Sequence, residues 1–170
     1  MMSFDPTTPA DLAHLRQALG REPVGVRFIA SRDKRGNPRV IVNHPLQNSI
    51  PQPTTFWLVD AELSAEISTL EYQGGVKAAE AWLAEDPERL ARYAQEHRDY
   101  AAYRWGLLSE EEKAKLAGTP QEKVLRESGI GGMGEVNLAA VKCLHLQAGW
   151  ALGNPGAVLR GWIAGRVKGF

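Results

Sequence analysis

The hydrophobic pattern of this chain changes once, near residue 60, and that change constrains the fold more than any other feature. Before it, short β-branched and aromatic runs at 24–30, 39–43 and 54–59 predict three strands. After it, apolar residues recur at helical spacing as far as the C-terminus. Strands that precede helices, instead of alternating with them, are typical of an α+β fold. We expect a small three-stranded antiparallel sheet in the N-terminal half, covered by a mainly helical C-terminal half.

Length, charge and cysteine content limit the class of protein. The 170 residues predict a single domain, 1–170, that is strand-rich over 21–60 and helical over 61–170. The 20 basic residues balance the 20 acidic ones, which gives no electrostatic attraction to nucleic acid. The chain lacks a signal-peptide pattern and a long apolar run, and Cys143 is its one cysteine. We therefore expect a cytoplasmic, soluble protein without a membrane span.

Capping residues and breakers predict the helix bounds. Thr8-Pro9-Ala10-Asp11 opens a helix that Gly20 closes, and Ser109 and Thr119 look like the first residues of capping boxes. The expected helices span 11–19, 62–72, 76–84, 87–105, the segments behind Ser109 and Thr119, 135–152 and 157–167.

A glycine-rich loop, Gly129–Gly134, directly precedes the helix predicted over 135–152. Glycine allows a backbone to approach a ligand closely, and the first N–H groups of a helix attract anions. The surrounding residues 129–170 carry four basic side chains and one acidic one. The pattern therefore predicts an anion site formed by Gly131, Gly132 and Gly134.

Lys142 and His145 would share one face of that helix, because residues three apart lie on the same side. Since a buried lysine needs an anionic partner, we expect Lys142 to face either a protein carboxylate, such as Glu71 or Glu96, or a ligand phosphate or carboxylate. Cys143 and His145 would lie about 160° apart around the axis, so they could not bind one metal ion from a regular helix. Cys143 is interpreted as a buried, inert thiol.

A second polar face is expected on the helix over 87–105, where Tyr93, His97, Tyr100 and Arg104 follow helical spacing. Arginine can hold a carboxylate or phosphate with two hydrogen bonds, and histidine can transfer protons near neutral pH. The face could instead be a hydrogen-bonded interface to the sheet or to a second copy of the chain. No histidine or cysteine spacing favours a metal site, and the loop lacks the ending of a P-loop.

Several segments together resemble a known family. They are Leu19–Val26, Pro53–Leu58, Leu70-Glu71 with Gly74–Val76, His97–Tyr100 with Arg104, and Gly131–Met133 leading to Val141–His145. In these the chain is similar to the bacterial family called domain of unknown function 501. The resemblance implies no established activity, catalytic residue or cofactor. Genes of that family often lie near those of a septum-formation protein and an exopolyphosphatase, which associates it with the cell envelope or phosphate.

Three functions remain open from the sequence. The first is a small cytosolic enzyme or ligand-binding domain for an anionic, phosphate- or carboxylate-bearing small molecule. In it, Gly131, Gly132, Gly134, Lys142, Arg104 and Tyr100 would bind the ligand, and His97 or His145 would be the catalytic acid or base. This hypothesis predicts that the two polar faces meet in one pocket. The alternatives are a protein-interaction module linked to cell division or the envelope, and a homo-oligomer that packs through the Tyr93–Arg104 face.

Overall fold

The strands lie in the first 58 residues, and helices form most of the remainder, which confirms the α+β class. The computed structural model describes residue 2 and residues 4–170. The first part comprises β1 Asp5–Pro6, α1 Pro9–Leu19, β2 Val26–Arg32, β3 Pro38–Asn43, β4 Leu46–Gln47, β5 Ile50–Pro51 and β6 Phe56–Leu58. The second part comprises α2 Ala61–Tyr72, α3 Gly75–Ala84, α4 Pro87–Gly106, α5 Glu110–Leu116, α6 Pro120–Glu127, α7 Leu144–Gly153 and α8 Arg160–Ala164.

The main sheet has four antiparallel strands in the order β1-β2-β3-β6, one more than the sequence predicts. The additional strand, β1, has two residues, and Asp5 pairs with Ile29. A second two-stranded sheet, β4-β5, lies within the segment 45–53 that reads as a polar loop. Strands of two residues are too short to show an alternating pattern, so they leave no signal in the sequence.

Both faces of the main sheet are covered. Alternation along β3 turns Val40 and Val42 toward the helical half, where they pack with Phe56 of β6. Ile41, between them, points to the opposite face and packs with Leu15 of α1. The sheet therefore lies between α1 on one side and the C-terminal helices on the other.

Local signals place most helix ends correctly. Thr8 and Asp11 form a reciprocal capping box at the start of α1, and Gly20 ends that helix with a φ of 65°. Ser109 and Glu112 form a second box at α5, while Thr119 caps α6 through the N–H of Glu122. These contacts involve residues within a few positions of one another, which is why the sequence reveals them.

The helix predicted over 135–152 begins only at Leu144, so the prediction was wrong for the first half of that segment. In place of a continuous helix, residues 130–132 and 135–137 form short 3₁₀ turns, and Cys143 is extended with φ −158° and ψ 156°. Carboxylates of other helices accept hydrogen bonds from backbone N–H groups of this segment. Glu80 of α3 accepts from Val141 at 2.9 Å, and Glu71 of α2 accepts from Leu144. These tertiary hydrogen bonds replace the helical bonds that the pattern implied.

Helix α7 is the centre of the structure. Leu144 and Ala148 pack into a cluster with α2, α3 and α8, and Trp150 and Ala151 pack into a second cluster against the sheet. The helix predicted over 157–167 is regular over Arg160–Ala164 alone. Among the described residues, no helix combines the length and apolarity needed to cross a membrane.

Candidate functional site

The polar face of α4 lies inside the protein. Tyr93, His97, Tyr100 and Arg104 are each no more than 1% exposed. The Tyr100 hydroxyl accepts the N–H groups of Thr55 at 2.7 Å and Phe56 at 3.3 Å, which attaches α4 to the sheet. Of the alternatives for this face, the structure shows the hydrogen-bonded interface to the sheet. The face is not exposed for packing against a second copy of the chain, as the homo-oligomer hypothesis required.

Arg104 binds backbone carbonyl groups of the protein itself. Its Nε donates to Leu125 at 2.9 Å and its Nη1 to Pro53 at 2.8 Å, while Nη2 donates to Val124 at 3.2 Å and to Ser128. Burial lowers the pKa of Arg104 to about 10, so the guanidinium stays charged at neutral pH. Val124 and Leu125 belong to the last turn of α6 and Ser128 is the capping residue after it, at the end of the helix where a positive charge is favourable. Arg104 thus clamps the end of α6 to the loop before β6.

His97 anchors the glycine loop to α4. Its Nδ1 accepts the N–H of Ile130 at 3.0 Å, which assigns the ring proton to Nε2. Burial lowers the pKa of His97 to about 4, so the imidazole is neutral at pH 7. A Cβ atom on Gly129 would lie 2.3 Å from Nδ1, so a glycine is required for the loop to reach the ring. Nε2 itself is buried without a hydrogen-bond partner among the described residues.

The glycine loop closes on itself. The N–H of Gly129 donates to Met133 at 2.7 Å, and the N–H of Gly132 donates to Gly129 at 3.0 Å. Gly131 has a φ of 72°, and a Cβ atom there would lie 2.6 Å from Leu146. Gly131 is buried, whereas Gly132 and Gly134 are exposed. Much of the cradle predicted for an anion therefore serves packing and the internal hydrogen bonds of the loop.

Lys142 is exposed and lies before α7, not on it. Its Nζ donates to the carbonyl of Gly131 at 2.9 Å. The partner is therefore neither of the carboxylates considered from the sequence but a backbone oxygen of the loop. Because an ammonium group has three N–H donors, this bond fixes its position and leaves donors for an anion.

Three reactive side chains converge at the start of α7. Glu71 comes from the last turn of α2, Cys143 is the residue before the first turn of α7, and His145 lies within that turn. One potential ligand atom from each lies within 4.8 Å of the other two, and all three residues are half-buried. We call these residues the α7 cluster. The angular argument that separated Cys143 from His145 was wrong because the extended backbone at Cys143 lies outside the helix.

Both ring nitrogens of His145 have defined neighbours. Nδ1 lies 3.3 Å from a carboxylate oxygen of Glu71. Nε2 lies 3.1 Å from the carbonyl of Ser64 and 3.2 Å from the hydroxyl of Ser68. The Ser68 hydroxyl donates to that same carbonyl at 2.9 Å, so its oxygen is free to accept from the ring. The Ser64 carbonyl is an acceptor, so Nε2 carries a proton. In the neutral ring the lone pair is then on Nδ1, whereas in the doubly protonated ring Nδ1 donates to Glu71.

The surroundings of the Cys143 thiol shift its pKa in both directions. Burial, the largest of them, and the charge of Glu71 raise its pKa, while the N–H groups of Leu146 and His145 and the charge of Lys142 lower it. The net pKa lies above the ordinary value, so the sulphur is protonated at neutral pH in the protein alone. A cation in the cluster would displace that proton, because only the thiolate binds metals strongly.

The structure does not bring the two predicted polar faces into one pocket. Residues His97, Tyr100 and Arg104 serve internal contacts of α4, whereas Lys142 and His145 lie around the start of α7. None of the eight predicted site residues lines any of five clefts on the surface of the described residues. The α7 cluster is thus a small half-buried site and not the floor of a large cleft.

Sequence reasoning missed two members of this cluster. Glu71 was considered only as a partner for Lys142, and Cys143 was interpreted as inert. Glu71 in fact caps the first N–H of α7, and Cys143 is only half-buried. One signal could have found them, because Glu71 and Cys143 both lie in segments that carry the family resemblance.

Comparisons with known proteins identify a family. The family model described as Protein of unknown function (DUF501) matches residues 29–162, which contain the whole α7 cluster. No curated protein and no solved structure matches the chain.

Proposed function

The chain belongs to the DUF501 family of proteins of unknown function, and we propose that it is a small enzyme or ligand-binding domain for an anionic small molecule. The ligand would carry a phosphate or carboxylate group and would bind at the α7 cluster beside Lys142. The single observation that supports this proposal most is the convergence of a thiol, an imidazole and a carboxylate within 4.8 Å. The residue before the thiol is the exposed Lys142, whose charge acts on Cys143.

Lys142 would attract and orient the anion. Its side chain is exposed but held at one point by the carbonyl of Gly131, so the charge has a defined position. The N–H of Leu144 partly compensates the negative charge of Glu71, which reduces the repulsion between Glu71 and a ligand. Gly132 and Gly134, whose backbone is exposed, belong to the same glycine loop as Gly131 and would offer further contacts to the anion.

His145 would be the proton-transfer group, since its imidazole is 29% exposed and lies 3.3 Å from the Glu71 carboxylate. The proposed site does not include His97, Tyr100 or Arg104. These three side chains are buried and bonded to the backbone of the protein, so a ligand could reach them only if those bonds broke.

A thermal-shift screen with phosphate- and carboxylate-bearing compounds tests the proposal. A ligand at about 100 times its Kd stabilises the folded state by about 2.7 kcal/mol, which raises the Tm of a chain of this size by about 5–10 °C. Lys142→Ala and His145→Ala should reduce that shift. Lys115→Ala is a matched control, because this exposed lysine pairs with Glu111 on α5 and should leave the shift unchanged.

The proposal fails if no such compound raises the Tm, or if the shift persists in both Lys142→Ala and His145→Ala. The melting temperature of each variant without ligand shows whether its fold is intact, so loss of binding and loss of structure are separable.

A protein-interaction module linked to cell division or the envelope is the second candidate. Val24 and Ile50 are 55% and 61% exposed, and both adjoin Gln47, which pairs with Ile50 and donates to the carbonyl of Val24. Exposed apolar side chains that lie together favour a protein contact. Replacing both with Ser should abolish capture of a partner protein while it leaves the ligand-induced shift unchanged.

A further inference from the structure

The α7 cluster has the composition and spacing of a metal site. We propose that Glu71, Cys143 and His145 bind one Zn²⁺ ion through a carboxylate oxygen, the thiolate and Nδ1. These are the three ligand types that zinc takes in proteins. A tetrahedral ion with bonds of about 2.1 Å holds its ligand atoms about 3.4 Å apart, and Nδ1 and the Glu71 oxygen are 3.3 Å apart.

The surroundings of His145 match those of a metal ligand. Its Nε2 donates to the carbonyl of Ser64 at 3.1 Å, so in the neutral ring the lone pair is on Nδ1, which faces the Glu71 carboxylate. A ligating histidine almost always donates its other ring N–H to a carbonyl or a carboxylate in this way. Two electron-rich atoms at 3.3 Å repel each other unless a cation or a proton lies between them.

The same geometry argues against a catalytic triad of cysteine, histidine and glutamate. In a triad the carboxylate orients Nδ1 and the nucleophile faces Nε2. Here Nε2 is turned to Ser64 and Ser68 instead, and the ring nitrogen that faces the carboxylate is Nδ1. The arrangement suits binding of a cation by Nδ1 better than activation of Cys143 as a nucleophile.

Charge and backbone geometry support the ion further. The carboxylate and the thiolate together carry two negative charges, which one Zn²⁺ neutralises in this half-buried site. Glu71 is held in position because it also accepts the N–H of Leu144. Three protein ligands leave a fourth position for water or for an anionic group, as in catalytic zinc sites. With an ion bound, both ring nitrogens of His145 would be engaged, so the imidazole would hold the metal and a water at the fourth position would supply the acid–base chemistry.

Metal titration of the full chain tests the inference and does not depend on any small-molecule ligand. The protein is stripped with a chelator and titrated with Zn²⁺ by calorimetry, and with Co²⁺ by absorption, where a thiolate ligand gives a charge-transfer band. We expect one equivalent to bind. His145→Ala and Glu71→Gln should weaken binding at least about 100-fold, since loss of an outer partner alone costs 10–100-fold.

Cys143→Ser is the most informative variant. Serine is a favoured residue before a helix, so the start of α7 should be retained while the charge-transfer band disappears. His44→Ala is a matched control, because His44 lies 3.4 Å from Glu112 in a half-buried pair that has no cysteine. It should bind Zn²⁺ as the parent protein does.

The inference is overturned if the parent protein binds no Zn²⁺, if Cys143→Ser binds it with unchanged affinity, or if His44→Ala loses binding equally. A chain that binds the metal but no anionic compound would refute the proposed function and leave the zinc site standing. In the absence of Zn²⁺ binding, a proton between Nδ1 and Glu71 would account for their contact.

Discussion

Two neighbouring buried groups on α4, Glu96 and His97, should make opposite contributions to the pH dependence of stability. Glu96 accepts the N–H of Val158 at 2.7 Å with one oxygen, and its other oxygen is buried without a partner among the described residues. Burial raises the pKa of Glu96 to about 7 and lowers that of His97 to about 4. In the folded protein His97 is therefore neutral from pH 7 to pH 5, while Glu96 is about half protonated at pH 7 and neutral at pH 5.

As the pH falls, the two groups change the free energy of unfolding in opposite directions. Between pH 7 and pH 5 the folded state keeps a proton on Glu96 that the unfolded chain releases, so Glu96 stabilises the fold as the pH falls. With a folded pKa of about 7 against 4.5 unfolded, the gain over this interval is about 2 kcal/mol. The pKa of His97 is 6.5 in the unfolded chain and about 4 in the folded protein, so the unfolded chain takes up this proton first as the pH falls. The free energy of unfolding therefore decreases by about 2 kcal/mol over the same interval.

The two effects nearly cancel in the parent protein, and single substitutions should reveal each of them. Glu96→Gln keeps an oxygen that can accept from Val158 and removes the effect that opposes that of His97. The free energy of unfolding of this variant should therefore fall by about 2 kcal/mol from pH 7 to pH 5. His97→Asn keeps an acceptor for Ile130 and should show a rise of similar size.

Urea denaturation at pH 5, 6 and 7, followed by tryptophan fluorescence and by circular dichroism, measures these slopes. Any cost of the substitution that does not depend on pH cancels, because only the change of free energy with pH within each protein is compared. Parallel profiles for the parent and both variants would refute the reasoning, since neither group would then be folded in a neutral form.

Two further pairs of variants test the internal contacts of α4. Gly129→Ala should lower the free energy of unfolding by about 1–3 kcal/mol, because its Cβ would lie 2.3 Å from His97; Gly134→Ala meets open space and should cost less than about 0.5 kcal/mol. Arg104→Met should cost at least about 3 kcal/mol, since four carbonyls, two of them in fully buried hydrogen bonds, lose a charged donor. The exposed Arg126→Met should cost less than about 1 kcal/mol. Urea denaturation at pH 7 measures all four, and equal stability within either pair would contradict the contact it tests.

Local contacts explain which parts of the fold could be predicted. The ends of α1 and α5 depend on capping between residues three positions apart, and α4 begins with a proline that Asp86 precedes and caps. The pairing of β2 with β3 follows from two β-branched runs joined by the turn at Asp33–Asn37. In each case the interaction that decides the element lies within the segment itself.

The candidate site could be predicted only in part. Lys142 and His145 were recognised as chemically active residues near a glycine loop, but their partners are Gly131, Glu71 and Ser64. The last two lie more than 70 positions away in sequence, on α2. No periodicity in the region of α7 indicates which side chains of α2 will face it.

The sequence by itself determined the α+β class, the order of the longer helices and of the strands β2, β3 and β6, and the ends of helices with local caps. Tertiary structure alone decided where α7 begins, because carboxylates of α2 and α3 compete for N–H groups that a longer helix would have used. It also decided that the polar face of α4 is internal, since the burial of a helix face depends on what packs against it. The convergence of Glu71, Cys143 and His145 follows from the shortened helix, which leaves Cys143 extended and brings its sulphur beside the imidazole.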